Sequence, residues 1–284
     1  MNAGVVWRRH PRLDDIGPIG VMVPGNGSSY DRLQQVWDLL DRLCVSLVCM
    51  EDHLLSITDP AAHQFECWAV LAAMAERTSA PLISALVSPS ALRNPALTAK
   101  ASATLDVISG GRFILGLGAG WYAKEFTFAG IPFPPLQERL KCVQGVAQRC
   151  REIWSDPNLR PQPAEPGIPI MVGGRGRSTT LPVVAKVADI WNTEGPLSVW
   201  RDLNESVDSE CCAIGRPAQS ILRSVAIDRD EIDDIPNYRQ AGVDLFVITV
   251  RPSMGDKEIE DIVGEARAAV DDVSGVSAPR RPDH

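Results

Sequence analysis

The sequence predicts an α/β protein with the architecture of a (β/α)8 barrel, also called a TIM barrel. Short apolar runs rich in β-branched residues occur eight times along the 284 residues. A helical pattern follows each run, and strands that alternate with helices in this way form parallel sheets with the helices packed outside. Eight repeats are the number that closes such a barrel. A doubly wound open sheet is the alternative that the same alternation leaves open.

The predicted strands and helices follow one another without a long gap. The strands are GVMV (20–23), SLVCM (46–50), LISALV (82–87), RFILGLG (112–118), IPIMVGG (168–174), ADIWNT (188–193), ILRSVAI (221–227) and DLFVITV (244–250). The helices cover 30–43, 64–77, 95–108, 135–155, 178–187, 197–213, 230–241 and 256–272. Apolar residues stand side by side in the strand runs, which is typical of strands buried on both faces.

One barrel domain is expected over residues 1–284, with its core at about 18–273 and a frayed tail at 274–284. The net charge of −8 argues against a nucleic-acid partner or an anionic membrane surface. No window approaches the ~20 apolar residues of a membrane span. The N-terminus lacks the apolar core of a signal peptide, and seven cysteines without a CxxC pair indicate buried, reduced thiols. A cytoplasmic protein is therefore expected.

Glycines cluster at the C-terminal end of the fourth predicted strand. They are Gly116, Gly118 and Gly120. Missing side chains at a strand end let a ligand or another backbone approach closely. Trp121 and Tyr122 follow, and they begin a segment, AGWYAKEFTFAGIPFPP, that is expected to be a long loop.

The stretch GGRGRST after the fifth strand indicates an anion site. Glycines leave the backbone N–H groups unhindered before a predicted helix, and two arginines lie beside them, so phosphate is the expected guest. The residues selected are Gly173, Gly174, Arg175 and Gly176. The spacing is not that of a Rossmann motif, and a plain glycine turn with solvated arginines is the alternative.

The stretch MEDHLL brings Glu51, Asp52 and His53 to the end of the second strand. A histidine there acts as a general acid or base, or donates a hydrogen bond to a bound ring; the alternative is that it satisfies a buried carboxylate or backbone group. His53 is the only histidine at a predicted strand end, so a metal-dependent hydrolase is not favoured and no metal site is expected. No GxSxG elbow indicates a serine hydrolase. The third and sixth strands deliver Ser88, Asn192 and Thr193 to the same end.

Four stretches together resemble the bacterial luciferase-like monooxygenase family, and within it the branch of oxidoreductases that use the deazaflavin coenzyme F420. They are EDHLL (51–55), NPALTAKASATLDVISGGRFILGLGAGWYAKEF (94–126), GIPFPPLQERL (130–140) and PIMVGGRGRSTTLPVVAKVADIWN (169–192). The resemblance is good over roughly residues 19–195, and the last third of the chain matches only in general pattern.

The resemblance implies a luciferase-like barrel with a flavin or deazaflavin ring across the strand ends. It implies His53 as the proton donor or acceptor, with Asp52 and Glu51 supporting it or contacting the cofactor. It also implies a non-proline cis peptide behind the ring, at Ala85-Leu86 or Leu86-Val87. The implied cofactor contacts are Glu51, Ala85, Leu86, Ser88, Gly118, Gly120, Trp121, Tyr122, Gly173, Gly174, Arg175, Gly176, Asn192 and Thr193.

The function implied is hydride transfer between F420 and an unidentified small organic substrate, by a homodimer. The sugar-phosphate dehydrogenases of this branch have a glutamate where this chain has Trp121, and a tryptophan after the strand-two histidine where it reads HLLSITD. A sugar-phosphate substrate is therefore not expected. Two alternatives stay open: a monooxygenase using reduced FMN from a separate reductase, and a barrel that binds the cofactor without catalysis.

Overall fold

The apolar runs form the parallel strands of a closed barrel in the computed structural model, which describes residues 7–274. The strands are β1 (Ile19–Met22), β2 (Leu47–Met50), β3 (Leu82–Ala85), β4 (Ser88–Pro89), β5 (Phe113–Gly118), β6 (Ile170–Gly173), β7 (Ile190–Glu194), β8 (Leu222–Ile227) and β9 (Leu245–Thr249). Because β3 and β4 both pair with β5, they are two parts of the third barrel strand. The pairing of β1 with β9 and of β3 with β5 closes the ring. The barrel prediction is confirmed, and the open sheet is wrong.

Helices surround this ring of strands. They are α1 (Tyr30–Arg42), α2 (Cys67–Arg77), α3 (Pro95–Ile108), α4 (Ala123–Phe128), α5 (Leu136–Trp154), α6 (Leu181–Val187), α7 (Leu197–Ala213), α8 (Ile235–Ala241) and α9 (Asp256–Ser274). α2 begins later than predicted because the Glu66 side chain accepts the N–H of Ala69 and caps the helix. α9 continues into the predicted tail as far as Ser274, and residues 275–284 lie outside the described part of the chain.

Helix α4 lies in the segment predicted to be a long loop, so that prediction is wrong over residues 123–128. Phe126 is buried and packs edge-on against Phe133, with ring centroids 4.9 Å apart. Gly130, at φ +68°, ends the helix in the left-handed conformation that glycine tolerates best. Tertiary burial of one aromatic side chain therefore stabilises a helix too short to form on its own.

The strands divide the core into two apolar clusters. Alternate residues along one strand belong to different clusters: Leu245 and Val247 face the interior group, and Phe246 and Ile248 face the helices. Leu13, from a short 3-10 turn before β1, packs with the interior group. The barrel interior is thus filled by side chains, and the space for a ligand lies at the strand ends.

No helix of residues 7–274 combines the length and apolar character that crossing a bilayer requires. The seven cysteines are all free thiols. The expectation that they are buried is confirmed for Cys49, Cys67, Cys150 and Cys211 and is wrong for Cys44 and Cys212, which are exposed.

Candidate functional site

A cavity of about 880 Å³ opens at the C-terminal ends of the strands, where (β/α)8 barrels carry their sites. Most of the predicted site residues line it: Glu51, Asp52, His53, Leu86, Gly118, Gly120, Trp121, Gly173, Gly174, Arg175, Asn192 and Thr193. The others, Ala85, Ser88, Tyr122 and Gly176, lie next to lining residues in the chain without being part of the wall. The peptide bond between Leu86 and Val87, which joins β3 to β4, is cis, as expected for one of two candidate bonds.

His53 is held in the wall by a carboxylate from α4. Its Nδ1 lies 2.9 Å from Oε1 of Glu125, whose side chain is only 2% exposed. The same oxygen accepts the backbone N–H of Leu54 at 2.7 Å and, more weakly, that of Leu55 at 3.4 Å. An ionised carboxylate surrounded by donors acts as the acceptor, so Nδ1 of His53 carries the proton. This arrangement leaves Nε2 as the ring nitrogen without a partner among the described residues.

The charges around His53 shift its proton affinity. Burial alone would lower the pKa of His53. The hydrogen bond to Glu125 and the negative charges of Glu125, Glu51 and Asp52 outweigh burial, so the pKa lies above its ordinary value of 6.5. A histidine with its pKa raised in this direction is well suited to exchange a proton near neutral pH.

Asp52 has its carboxylate turned to an arginine rather than to His53. Both of its oxygens lie 2.9 Å from Nη2 of Arg93, and the indole N–H of Trp68 donates to it at 3.1 Å. The same N–H also donates to the hydroxyl of Ser88 at 3.0 Å. This buried network ties the end of β2 to β4, the segment after the cis peptide, and so fixes two parts of the cavity wall relative to each other.

Glu51 contributes a partly satisfied carboxyl group. Its Oε1 accepts the backbone N–H of Gly25 at 2.9 Å, and Oε2 is buried with no partner within residues 7–274. Burial raises the pKa of Glu51 despite that hydrogen bond and the neighbouring His53. A carboxyl group in such a place is available to donate or accept a hydrogen bond when the surroundings rearrange around a ligand.

The glycines of β5 make room mainly for protein. A Cβ at Gly116 would lie 1.9 Å from the carbonyl oxygen of Ala85, and one at Gly118 would lie 2.4 Å from Cγ2 of Val87. Gly120, at φ +72°, faces β4 in the same way. Of the two neighbours expected here, a ligand or another part of the backbone, the close contacts come from the protein itself: the missing side chains let the broken third strand pack closely. Gly118 and Gly120 still line the cavity.

The glycine–arginine loop after β6 carries free backbone donors at the edge of the cavity, where Arg175 lines the wall and residues 176–178 follow it, although not at every predicted position. The N–H of Gly174 donates to the carbonyl of Asn192 at 3.0 Å, so it is committed to the barrel. In contrast, the N–H groups of residues 175–178 have no acceptor among the described residues. Arg175 lines the cavity, whereas Arg177 pairs with a carboxylate of α7 at 3.0 Å. Backbone donors left free in a glycine-rich turn are a feature of anion-binding loops.

Several charged residues of the site were not selected from the sequence, among them Glu125, Arg93 and Arg139. Glu125 lies in the segment expected to be a loop, and only its place three residues after the Trp-Tyr pair pointed to it. Arg93 stands directly before the residue that caps α3. Arg139 is buried on α5, where it donates to the carbonyls of Gly120 and Pro134. No local pattern marks the latter two: Arg93 binds carboxylates 27 and 41 residues away, and Arg139 binds backbone carbonyls, which any sequence supplies. Within residues 7–274, no group of three or more histidine, cysteine or acidic side chains is arranged to hold a metal ion.

A closed (β/α)8 barrel with a cavity at its strand ends and a histidine in the wall belongs to the large class of ligand-binding barrels. The family within that class is shown by sequence: the profile of the luciferase-like monooxygenases matches residues 17–233. The chain belongs to the luciferase-like monooxygenase family.

Individual relatives share about a quarter to a third of their residues with this chain, over part of its length. The F420-dependent glucose-6-phosphate dehydrogenase of Amycolatopsis mediterranei (strain U-32) is 30% identical over 156 residues, which are 50% of this chain and 45% of that protein. The match therefore spans less than half of that relative. An uncharacterised protein of Mycobacterium tuberculosis (strain H37Rv) is 27% identical over 225 residues, 74% of each chain.

A solved structure shares the fold. An F420-dependent secondary alcohol dehydrogenase, in complex with an F420–acetone adduct, superimposes with a TM-score of 0.80 at 16% identity. The superposition covers 89% of this chain and 99% of the other.

Proposed function

We propose that the protein is an oxidoreductase that transfers a hydride between coenzyme F420 and a small organic substrate. The observation that carries the proposal is His53, whose Nδ1 is held by Glu125 while Nε2 is left for a ligand in the cavity. Membership of the luciferase-like family, and relatives whose names specify F420, support the choice of coenzyme.

The residues of the cavity fit this coenzyme. The guanidinium and the free amide of Arg175 in the wall, with the free amides of residues 176–178 next to it in the chain, suit its phosphate. The apolar side chains of Leu86 and Val87 line the wall between β3 and β4, where a flat ring system packs without leaving polar groups unpaired. The cavity volume is within the range of sites that enclose ligands of this size.

The protein's own residues have distinct roles in this proposal. The bound coenzyme would supply the two-electron chemistry, and the chain binds, orients and moves a proton. His53 exchanges that proton with the substrate at Nε2, and Glu125 fixes the ring and its tautomer. Asp52, held by Arg93, fixes the position of the end of β2 relative to β4. Glu51 offers its buried Oε2 to the ligand.

Coenzyme binding is tested by titrating the purified protein with F420 and with oxidised and reduced FMN. Arg175→Gln is expected to weaken F420 binding about tenfold, since one charge-assisted hydrogen bond is lost. Arg177→Gln is the matched control, because Arg177 lies in the same loop but outside the cavity wall. Preference for FMN supports the monooxygenase alternative, and equal effects of the two variants contradict the phosphate site.

The catalytic role of His53 is tested by His53→Ala. Reduction of F420 by a panel of secondary alcohols and sugar phosphates is expected to fall ~10²–10⁴-fold, while the Kd for F420 changes little. Loss of coenzyme binding together with turnover would assign His53 to binding. A wild-type protein that binds F420 and turns over nothing on the panel would favour the non-catalytic alternative.

A further inference from the structure

Large apolar side chains stand exposed in the cavity wall around His53. Trp121 is 64% exposed, Leu136 44% and Ile57 42%, and all three line the cavity. The ring of Trp121 meets that of His53 edge to face, with centroids 5.8 Å apart. We call these three residues the apolar rim. Apolar surface left open inside a ligand cavity, next to an acid–base residue, indicates a partner that covers it.

The charges close to His53 disfavour an anionic ligand there. Glu51, Asp52 and Glu125 all contribute negative potential at its ring. Two arginines of the site are committed to other groups. Arg93 binds the carboxylates of Asp52 and Glu66. The guanidinium of Arg139 is bonded to two backbone carbonyls and lies 4.2 Å from the centre of a phenylalanine ring.

The arginines free to meet an anion lie at other strand ends. Arg175 follows β6, and Arg251 follows β9. An anionic group is therefore expected at that side of the cavity, and an uncharged one beside His53.

We propose that the apolar rim is a substrate subsite that binds the uncharged, apolar part of a carbonyl compound or of the corresponding alcohol. The inference rests on the proposed function and names its substrate class. In the reducing direction, reduced F420, when bound, would supply a hydride to the carbonyl carbon, and His53, protonated on both ring nitrogens, would give the proton on Nε2 to the carbonyl oxygen. The products are the alcohol and the oxidised coenzyme, so atoms and electrons balance; oxidation of the alcohol is the reverse.

The subsite is tested by calorimetric titration of the F420-loaded protein with three probes: benzylacetone, its para-carboxylate and glucose-6-phosphate. Benzylacetone is expected to bind about tenfold more tightly than either anion, because the apolar rim offers no partner to a carboxylate or phosphate and desolvating an unpaired charge costs this much or more. Trp121→Glu is expected to weaken benzylacetone binding about tenfold, and Trp121→Phe to change it less than about threefold. Leu97→Glu is the control, since Leu97 is 71% exposed on α3 outside the cavity.

Each contrary outcome overturns the subsite. Anions that bind as tightly as benzylacetone would show that charge, and not the apolar rim, selects the ligand. Trp121→Glu without effect on affinity, but with a larger monomer fraction in sedimentation, would show that a second copy of the chain covers the rim. Failure of F420 to bind would overturn the proposed function separately, and the same probe comparison on the unloaded protein would still decide whether the rim selects uncharged ligands.

Discussion

The contact between His53 and Glu125 determines which ring nitrogen of the histidine faces the ligand and how readily it holds a second proton. Glu125→Gln keeps an oxygen that accepts from Nδ1 but removes the charge that raises the pKa of His53. The pKa of His53 is therefore expected to fall, while the Nδ1–H tautomer persists. Titration of ¹⁵N-labelled histidine rings by NMR measures both. The rings of His10 and His63, outside the cavity wall, are internal controls. An unchanged pKa at His53 would contradict the assignment.

The same pair predicts a pH-dependent stability. Because the pKa of His53 is raised in the folded protein, its stabilisation is fully present below the ordinary value of 6.5 and is lost as pH rises through the raised value. The stability lost on Glu125→Gln is therefore expected to be larger at about pH 5.5 than at about pH 8.5. The difference is about 1 kcal/mol, the margin between a charged and a neutral hydrogen bond. Urea unfolding at the two pH values measures it, and a loss that grows with pH would have the wrong sign.

At the scale of elements, the packing of β5 against β3 depends on Gly116. Gly116→Ala would bring a Cβ within 1.9 Å of the Ala85 carbonyl oxygen, so the strands must separate. We expect a stability loss of about 2–3 kcal/mol. Gly145→Ala is the control, because Gly145 lies in α5 with open space around it and should gain about 0.5–1 kcal/mol. Thermal unfolding compares the two. A Gly116→Ala protein as stable as the wild type would show that β5 and β3 can accommodate a methyl group at this position.

The elements also show what the sequence makes predictable. Each barrel strand is an unbroken apolar run between helical patterns, and this local signal located all eight strand regions. Helix α4 carried no such signal, because it is only six residues long and depends on the burial of Phe126, including its contact with Phe133. His53 could be selected as a polar residue at a strand end, whereas its partner Glu125 lies 72 positions further along the chain. The glycines of β5 could be predicted as a place where another group approaches the backbone closely. Only the folded barrel shows that this group is the third strand, at Ala85 and Val87.

At the scale of the whole molecule, the buried thiols report on how the barrel unfolds. Cys49 and Cys67 belong to the neighbouring elements β2 and α2, whereas Cys150 and Cys211 belong to α5 and α7 further round the ring. Burial raises the pKa of each of these thiols, to about 12 for Cys150. A buried neutral thiol is a poor nucleophile, so labelling requires that its surroundings open.

Cys44 and Cys212 are therefore expected to react first with a thiol reagent such as dithionitrobenzoate in the native protein, and the four buried thiols to stay unlabelled. In moderate urea the buried four are expected to react at one common rate, because a closed ring has no edge from which one strand can separate alone. Mass spectrometry of digested samples measures the rate at each cysteine, and a Cys44→Ser, Cys212→Ser protein removes the fast background. A rate at Cys211 well above that at Cys49 would show that the α7 side opens as a separate unit, and that closing the ring between β1 and β9 does not couple the two halves of the barrel.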